Sequence, residues 1–140
     1  MVENSLTIHS DGGARGNPGP GACAFVVEQN GRVVAKGTKH LGEVTNNIAE
    51  YSGVLLAVNW LIKNPSFYLD KIPVTFFMDS ELVVRQLMGR YKVKDLKLRK
   101  LFEEINSLRA KLPMPINFES ISREKNKLAD FLVNEELDGR

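Results

Sequence analysis

The stretch Ser10-Asp11-Gly12-Gly13-Ala14-Arg15-Gly16-Asn17-Pro18-Gly19-Pro20-Gly21-Ala22 sets an acid beside a run of glycine and proline, with an apolar segment on either side. Glycine permits positive φ and close approach of another backbone, and proline stiffens a turn. The pattern predicts a carboxylate at the end of a short strand, Leu6 to Ser10, followed by a loop and a second strand. A hairpin loop with an incidental Asp remains the plain alternative. A phosphate-cradling loop is a weaker reading still, since no Gly-Lys-Ser/Thr follows and the loop leads into a strand-like run rather than a helix.

Length and composition narrow the class. The 140 residues suit one domain with one core, residues 1–140. Net charge is +2, too mild to announce a nucleic-acid binder, so local clustering has to decide. A single cysteine, Cys23, rules out an intrachain disulfide and fits a reducing compartment. No apolar run is long enough to span a membrane, and Met1 to Ser5 is not a secretion signal. A cytoplasmic monomer without membrane contact is the expectation.

Strand-like runs cover about Leu6–Ser10, Gly21–Glu28 and Arg32–His40, with a hairpin signal at Asn30-Gly31. His40 to Val44 reads as a loop. Thr45-Asn46-Asn47 opens a core helix that Asn64-Pro65 stops. Pro73 to Met78 is a continuously apolar strand, as expected when both faces are covered. Ser80 to Gly89 reads as a short helix, Leu96 to Leu112 as a longer one, and Ile116 to Ile121 as a strand. Asn126 caps a last helix. The order βββ-α-β-α-α-β-α predicts an α/β fold: a mixed five-stranded sheet, three antiparallel then two parallel strands, with helices on both faces. Ligands of such sheets bind outside the carboxyl ends of the parallel strands.

Asp11 and Asp79 end strands, Glu50 starts the first long helix, and Asp130 sits in the first turn of the last. Each has a plainer reading alone. Glu50 could complete a capping box begun by Asn47, Asp130 could complement the helix dipole, and Asp79 could be an N-cap. Together they form a set that suits hard divalent cations, because clustered carboxylates otherwise repel and take up protons. Two Mg²⁺ ions about 4 Å apart can activate a water and stabilise the departing oxygen of a phosphodiester. His9 and His40 offer zinc no site, and no Ser-His pair suggests acyl transfer.

Four segments carry a resemblance: Ser10-Asp11-Gly12-Gly13 with Gly16-Asn17-Pro18-Gly19; Thr45-Asn46-Asn47-Ile48-Ala49-Glu50; Met78-Asp79-Ser80 with Leu82-Val83-Val84; and Asn126-Lys127-Leu128-Ala129-Asp130. In order and spacing, over nearly the whole chain, they resemble type 1 ribonuclease H. The resemblance implies the ribonuclease H-like fold and two-Mg²⁺ cleavage of the RNA strand of RNA/DNA hybrids, leaving 5′-phosphate and 3′-hydroxyl ends. Asp11, Glu50, Asp79 and Asp130 would be the catalytic metal ligands, and Mn²⁺ would substitute for Mg²⁺. Gly12 and Gly13 would approach the 2′-hydroxyls that distinguish RNA from DNA. Asn17 and Asn47 would reach base edges, and Thr45 a DNA phosphate.

The chain departs from that family in four ways. The loop before Asp130, Ser122-Arg123-Glu124-Lys125, lacks the histidine that many members carry; Arg123, Glu124 and Lys125 are the candidates to assist in its place. Glu81 stands where several relatives have Gln. Gly89 to Asp95 is too short for an inserted basic helix and loop, and no chain is left for a separate hybrid-binding domain. Binding then falls to a basic cluster, Arg85, Arg90, Lys92, Lys94, Lys97, Arg99 and Lys100, with Lys92 and Lys94 as phosphate contacts and Tyr91 beside them. A solvated helix face is the plain alternative. Double-stranded RNA is a second possible substrate, and a non-catalytic nucleic-acid-binding module is the reading that would follow if the chemistry has been lost.

Overall fold

The computed structural model describes residues 5–68 and 72–139; residues 1–4, read above as carrying no secretion signal, lie outside that range. The chain runs β1 (Leu6–Ala14), β2 (Gly19–Gln29), β3 (Arg32–Val44), α1 (Asn46–Lys63), β4 (Val74–Met78), α2 (Glu81–Leu87), α3 (Leu96–Arg109), β5 (Ile116–Ser120) and α4 (Lys127–Asp138), with short 3₁₀ turns at Pro65–Tyr68 and Arg123–Asn126. The strands form one sheet in the order β3-β2-β1-β4-β5. The first three strands pair antiparallel, and β1–β4 and β4–β5 pair parallel. Element order and sheet type are as the sequence predicts.

Both faces of the sheet are covered. Leu6 and Ile8 of β1 and Phe25 and Val27 of β2 join the main core with Tyr51, Val54, Val58 and Leu61 of α1 and Ile105 of α3. The alternate residues of β2, Ala22, Ala24 and Val26, face α4 through Ala129, Leu132, Val133 and Leu137. This alternation is the period-2 pattern of a strand buried on both sides. Cys23 of β2 is buried as well, and burial pushes its thiol up to about 12, so it is an inert core residue. No helix among the described residues is long and apolar enough to cross a membrane.

The helix expected to reach Leu112 ends at Arg109, and three further differences from the sequence reading bear on the site. β1 does not stop at Ser10 but continues to Ala14, so Asp11 lies inside a strand, paired with Ala24, and the turn itself shrinks to residues 15–18. Glycines 12 and 13 read as loop residues because they lack side chains to pack; at position 12 a glycine is what the neighbouring helix demands. β3 likewise runs on through His40 to Val44, where a loop was expected, because β2 extends alongside it with a register shift at Gly21/Ala22. Such a bulge absorbs one residue and lets pairing resume. Asn126 occupies the N-cap position of α4 but makes no capping bond; its side chain turns inward instead. The Asn30-Gly31 hairpin is as predicted, with φ of 53° and 82°.

Candidate active site

β1 and β4 are parallel neighbours, with His9 opposite Phe77. Continuing that register sets Asp11 level with Asp79, the first residue past β4. α1 crosses directly above. A Cβ on Gly12 would stand 2.1 Å from the Ala49 carbonyl oxygen, and one on Gly53 would stand 2.8 Å from that of Asp11. Ala49, Gly53 and Ala57 recur every fourth residue, so a seam of small side chains lets the helix sink onto the strand. The residue after Ala49 is Glu50, and the residue before Gly12 is Asp11. The close contact therefore carries the two carboxylates to one place.

Asp11, Glu50 and Asp79 each offer an oxygen within 4.8 Å of the other two, and all three are half-buried. Asp130, in the first turn of α4, lines the same cleft of about 340 Å³ but stands outside that tight triple. Its carboxylate lies 3.6 Å from the Arg123 guanidinium. Among the described residues Asp11, Glu50 and Asp79 have no ion-pair partner.

The electrostatics follow from that crowding. Burial, then the charges of Asp79 and Asp130, push the Asp11 carboxyl up to about 7, against a hydrogen bond from the Gly12 N–H. Burial, then Asp11 and Asp79, push Glu50 up to about 8, opposed by a hydrogen bond with the Ser80 side chain. Desolvation and like charge both disfavour ionisation, and a divalent cation reverses both. Three hard oxygen donors, without an ion-pair partner among the described residues and within reach of one point, fit Mg²⁺ or Mn²⁺ and suit zinc poorly. The plainer readings of Glu50 and Asp79 do not hold. Thr45, not Asn47, caps α1, accepting from the Ile48 N–H at 3.3 Å, so Glu50 completes no capping box. Ser80, not Asp79, caps α2.

The other residues singled out in the sequence fall into two groups. Gly12 and Gly13 line the cleft, Asn17 lies in the turn beside it, and Thr45 and Asn47 sit at the start of α1, outside the cleft lining. Gly12 is filled by α1, whereas nothing lies within 4 Å of a Cβ at Gly13. Asn17 accepts from the Asn46 N–H at 3.0 Å through Oδ1. Lys92 and Lys94 are exposed and line a separate cleft of about 500 Å³ with Tyr91 and Arg99. Of the three loop candidates, Arg123 lines the carboxylate cleft; Glu124 and Lys125 are exposed and do not.

Residues with no assigned role also shape the site. Asn46 lines the cleft and accepts the Ala14 N–H at 2.9 Å, joining the end of β1 to the start of α1. Arg15 lines it too, bonded to Asp138 at 2.6 Å. Asn126, 1% exposed, donates from Nδ2 to the Ser10 carbonyl at 3.0 Å, so the start of α4 is tied to the residue before Asp11. Position within the quoted motifs was the available sign for Asn46 and Asn126. Arg15 gave none beyond its place in the glycine loop.

An α/β protein with a carboxylate-lined cleft at the end of two central strands is thus defined by the geometry alone. Comparison with known proteins gives its family. The model of the family described as reverse transcriptase-like matches residues 9–136. The bifunctional protein Rv2228c of Mycobacterium tuberculosis is 37% identical over 135 residues, covering 95% of this chain and 35% of its own length. The chain thus spans about a third of that curated relative. Among solved structures, LC11-RNase H1, isolated from compost by a metagenomic approach, superposes with a TM-score of 0.91 at 40% identity, covering 97% of each chain. LC11-RNase H1 in complex with an RNA/DNA hybrid superposes with a TM-score of 0.89 at 38% identity, covering 96% of this chain and 98% of that one. The chain belongs to this reverse-transcriptase-like family, the ribonuclease H enzymes.

Proposed function

We propose that this chain is an endonuclease that hydrolyses the RNA strand of RNA/DNA hybrids and leaves 5′-phosphate and 3′-hydroxyl ends. The carrying observation is the convergence of Asp11, Glu50 and Asp79, ligand oxygens within 4.8 Å of one another, on a ribonuclease H sheet. With Asp130 from α4, these residues would hold two Mg²⁺ ions, with Mn²⁺ as a substitute. Bound there, the ions would supply water activation and stabilisation of the departing oxygen. The LC11-RNase H1 complex supports the hybrid as substrate.

The chain's own residues supply the rest. Buried walls keep Asp11 and Glu50 poor at holding charge alone, so the site is primed for a cation. Gly13, open on one side, gives the backbone access to a 2′-hydroxyl. Among the described residues Asn17 makes no bond through its amide NH₂, which is available to a base edge while Oδ1 is held by the Asn46 N–H. Asn47 reaches the adjacent base, and the Thr45 hydroxyl, accepting from Ile48, keeps its proton to donate to a DNA phosphate. Arg123 takes the place of the missing loop histidine, its guanidinium sharing Asp130 with the cleft. Lys92 and Lys94 bind phosphates further along the duplex. Residues 1–140 act as one catalytic domain, a cytoplasmic monomer.

A substrate panel tests this reading. End-labelled hybrid, double-stranded RNA and double-stranded DNA of one sequence are incubated with Mg²⁺ and the product ends are mapped. Cleavage of the hybrid's RNA strand with 5′-phosphate ends is expected. Equal cleavage of double-stranded RNA would replace hybrid specificity with a broader duplex nuclease, and binding without cleavage in Mg²⁺ or Mn²⁺ would make it a binding module.

A further inference from the structure

A second polar network lies beside the carboxylates and plays no part in holding them. Tyr51, next to Glu50 on α1, is fully buried, and its hydroxyl donates to Gln86 Oε1 at 2.6 Å. Gln86, on α2 and also buried, donates from Nε2 to the Lys92 backbone carbonyl at 3.4 Å. Buried polar side chains persist where their bonds are made, and a single missing partner is costly. This network ends on the backbone of the basic segment that follows α2.

The local structure explains why that segment needs an anchor. α2 ends in a Schellman turn: Gly89, at φ 78°, donates to the Gln86 carbonyl at 3.0 Å, and Arg90 to that of Arg85 at 2.8 Å. The chain then leaves the helix with no regular secondary structure until α3. Val93 drops into the main core while Lys92 and Lys94 on either side stay exposed. Extended chain alternates its side chains, so one buried Val turns both lysines outward. Tyr91 is held from α2 as well, its hydroxyl accepting from Arg85 at 3.3 Å with the guanidinium 5.4 Å from the ring centroid. α2 thus carries Asp79 just before its first turn and the basic segment just after its last.

We infer that Gln86 and Tyr51 are positioning residues for substrate binding: they fix the backbone at Lys92 relative to α1, so that Lys92 and Lys94 meet the phosphates of a duplex whose scissile bond lies at the carboxylates. This rests on the proposed hybrid substrate and on those lysines as phosphate contacts. The two residues touch neither substrate nor ion. They set the spacing between the reacting centre and the remote phosphate-binding lysines, where small misplacements are expensive.

Steady-state cleavage of the hybrid over a range of salt tests this in the wild-type chain, Gln86→Met, Tyr51→Phe and Lys92→Ala/Lys94→Ala. Gln86→Met keeps the volume; Tyr51→Phe removes only the hydroxyl and serves if Gln86→Met fails to fold. Each single variant is expected to raise KM several-fold and leave kcat within about twofold. The slope of log(1/KM) against log salt should flatten toward that of the lysine double variant, by about 0.9 for each phosphate that is no longer neutralised. On the Lys92→Ala/Lys94→Ala background the same substitutions should add nothing further, the signature of residues that act through the lysines. An equal rise in KM on both backgrounds, or a fall in kcat at unchanged KM and slope, overturns the inference. If the lysine double variant itself binds and cleaves like wild type, the lysines do not touch the duplex and the inference falls with that assignment, while hybrid cleavage stands.

Discussion

Gly12 and Ala49 meet backbone to backbone, so closely that a Cβ on Gly12 would lie 2.1 Å from the Ala49 carbonyl oxygen. This approach sets how deep α1 sits on β1, and with it the separation of Asp11 and Glu50. Gly12→Ala should therefore force the helix off the strand, costing about 1–3 kcal/mol or more, and should lower cleavage even in molecules that remain folded. Gly13→Ala, with nothing within 4 Å of its Cβ, is the matched control and should melt near wild type. Denaturant melts of the pair, and kcat of Gly12→Ala beside the wild-type chain, check this; a Gly12→Ala chain as stable as the control and as active as wild type would show that the close approach does not set the site.

Crowded carboxylates store repulsion. Asp11→Asn removes one charge from a cluster that disfavours charge, so the metal-free variant should be more stable than wild type at pH 8.5, on the order of 1–2 kcal/mol. Activity should fall by several orders of magnitude, each tenfold being about 1.4 kcal/mol of barrier. Thermal melts in EDTA test the first half. A destabilised variant would mean that Asp11 makes a net favourable interaction within the fold.

The same raised values give a pH dependence with a definite sign. Asp11 moves from 3.8 to about 7 and Glu50 from 4.5 to about 8 on folding. The folded chain then binds more protons than the unfolded one between those limits. Their contribution to stability is fully present below about pH 4 and is lost as pH rises through 7 and 8. Mg²⁺ must displace those protons, so the rise in Tm on adding Mg²⁺ should be small at pH 6 and large at pH 9. Calorimetry in buffers of different ionisation enthalpy should detect proton release at pH 7. Binding without proton release would place the ion elsewhere.

Asn126 links Asp130's helix to Asp11's strand through one buried hydrogen bond to the Ser10 carbonyl. Asn126→Ala should cost about 1–3 kcal/mol by orphaning that carbonyl. It should also lower kcat more than KM, because the start of α4, not the substrate surface, loses its tie. Unchanged kcat in a chain melting near wild type would show that α4 is held by its apolar face alone.

The residue pattern made the sheet legible because each strand and helix carries its own period. Asn30-Gly31, the apolar run to Met78 and the stop at Asn64-Pro65 each pointed one way. The extent of β1 and β3 was not legible, since glycine and polar residues at 12, 13 and 40–44 become strand only when β2 lies beside them. At the site, the acids could be named from position, but their convergence depends on a seam of Ala49, Gly53 and Ala57 that reads in sequence as ordinary helix. Asn126 was read as a cap because caps are local; its actual partner is 116 residues away. The Tyr51–Gln86 bond is invisible for the same reason.

The most direct test of the central claim is cleavage of an end-labelled RNA/DNA hybrid in Mg²⁺ by the wild-type chain beside Asp11→Asn, with folding of both verified. Metal-dependent cutting of the RNA strand by wild type, reduced by several orders of magnitude in a folded Asp11→Asn, is the predicted result. Undiminished cutting by Asp11→Asn, or none by a folded wild type that binds the hybrid in Mg²⁺ and Mn²⁺, would contradict the assignment of this carboxylate cluster as the catalytic centre.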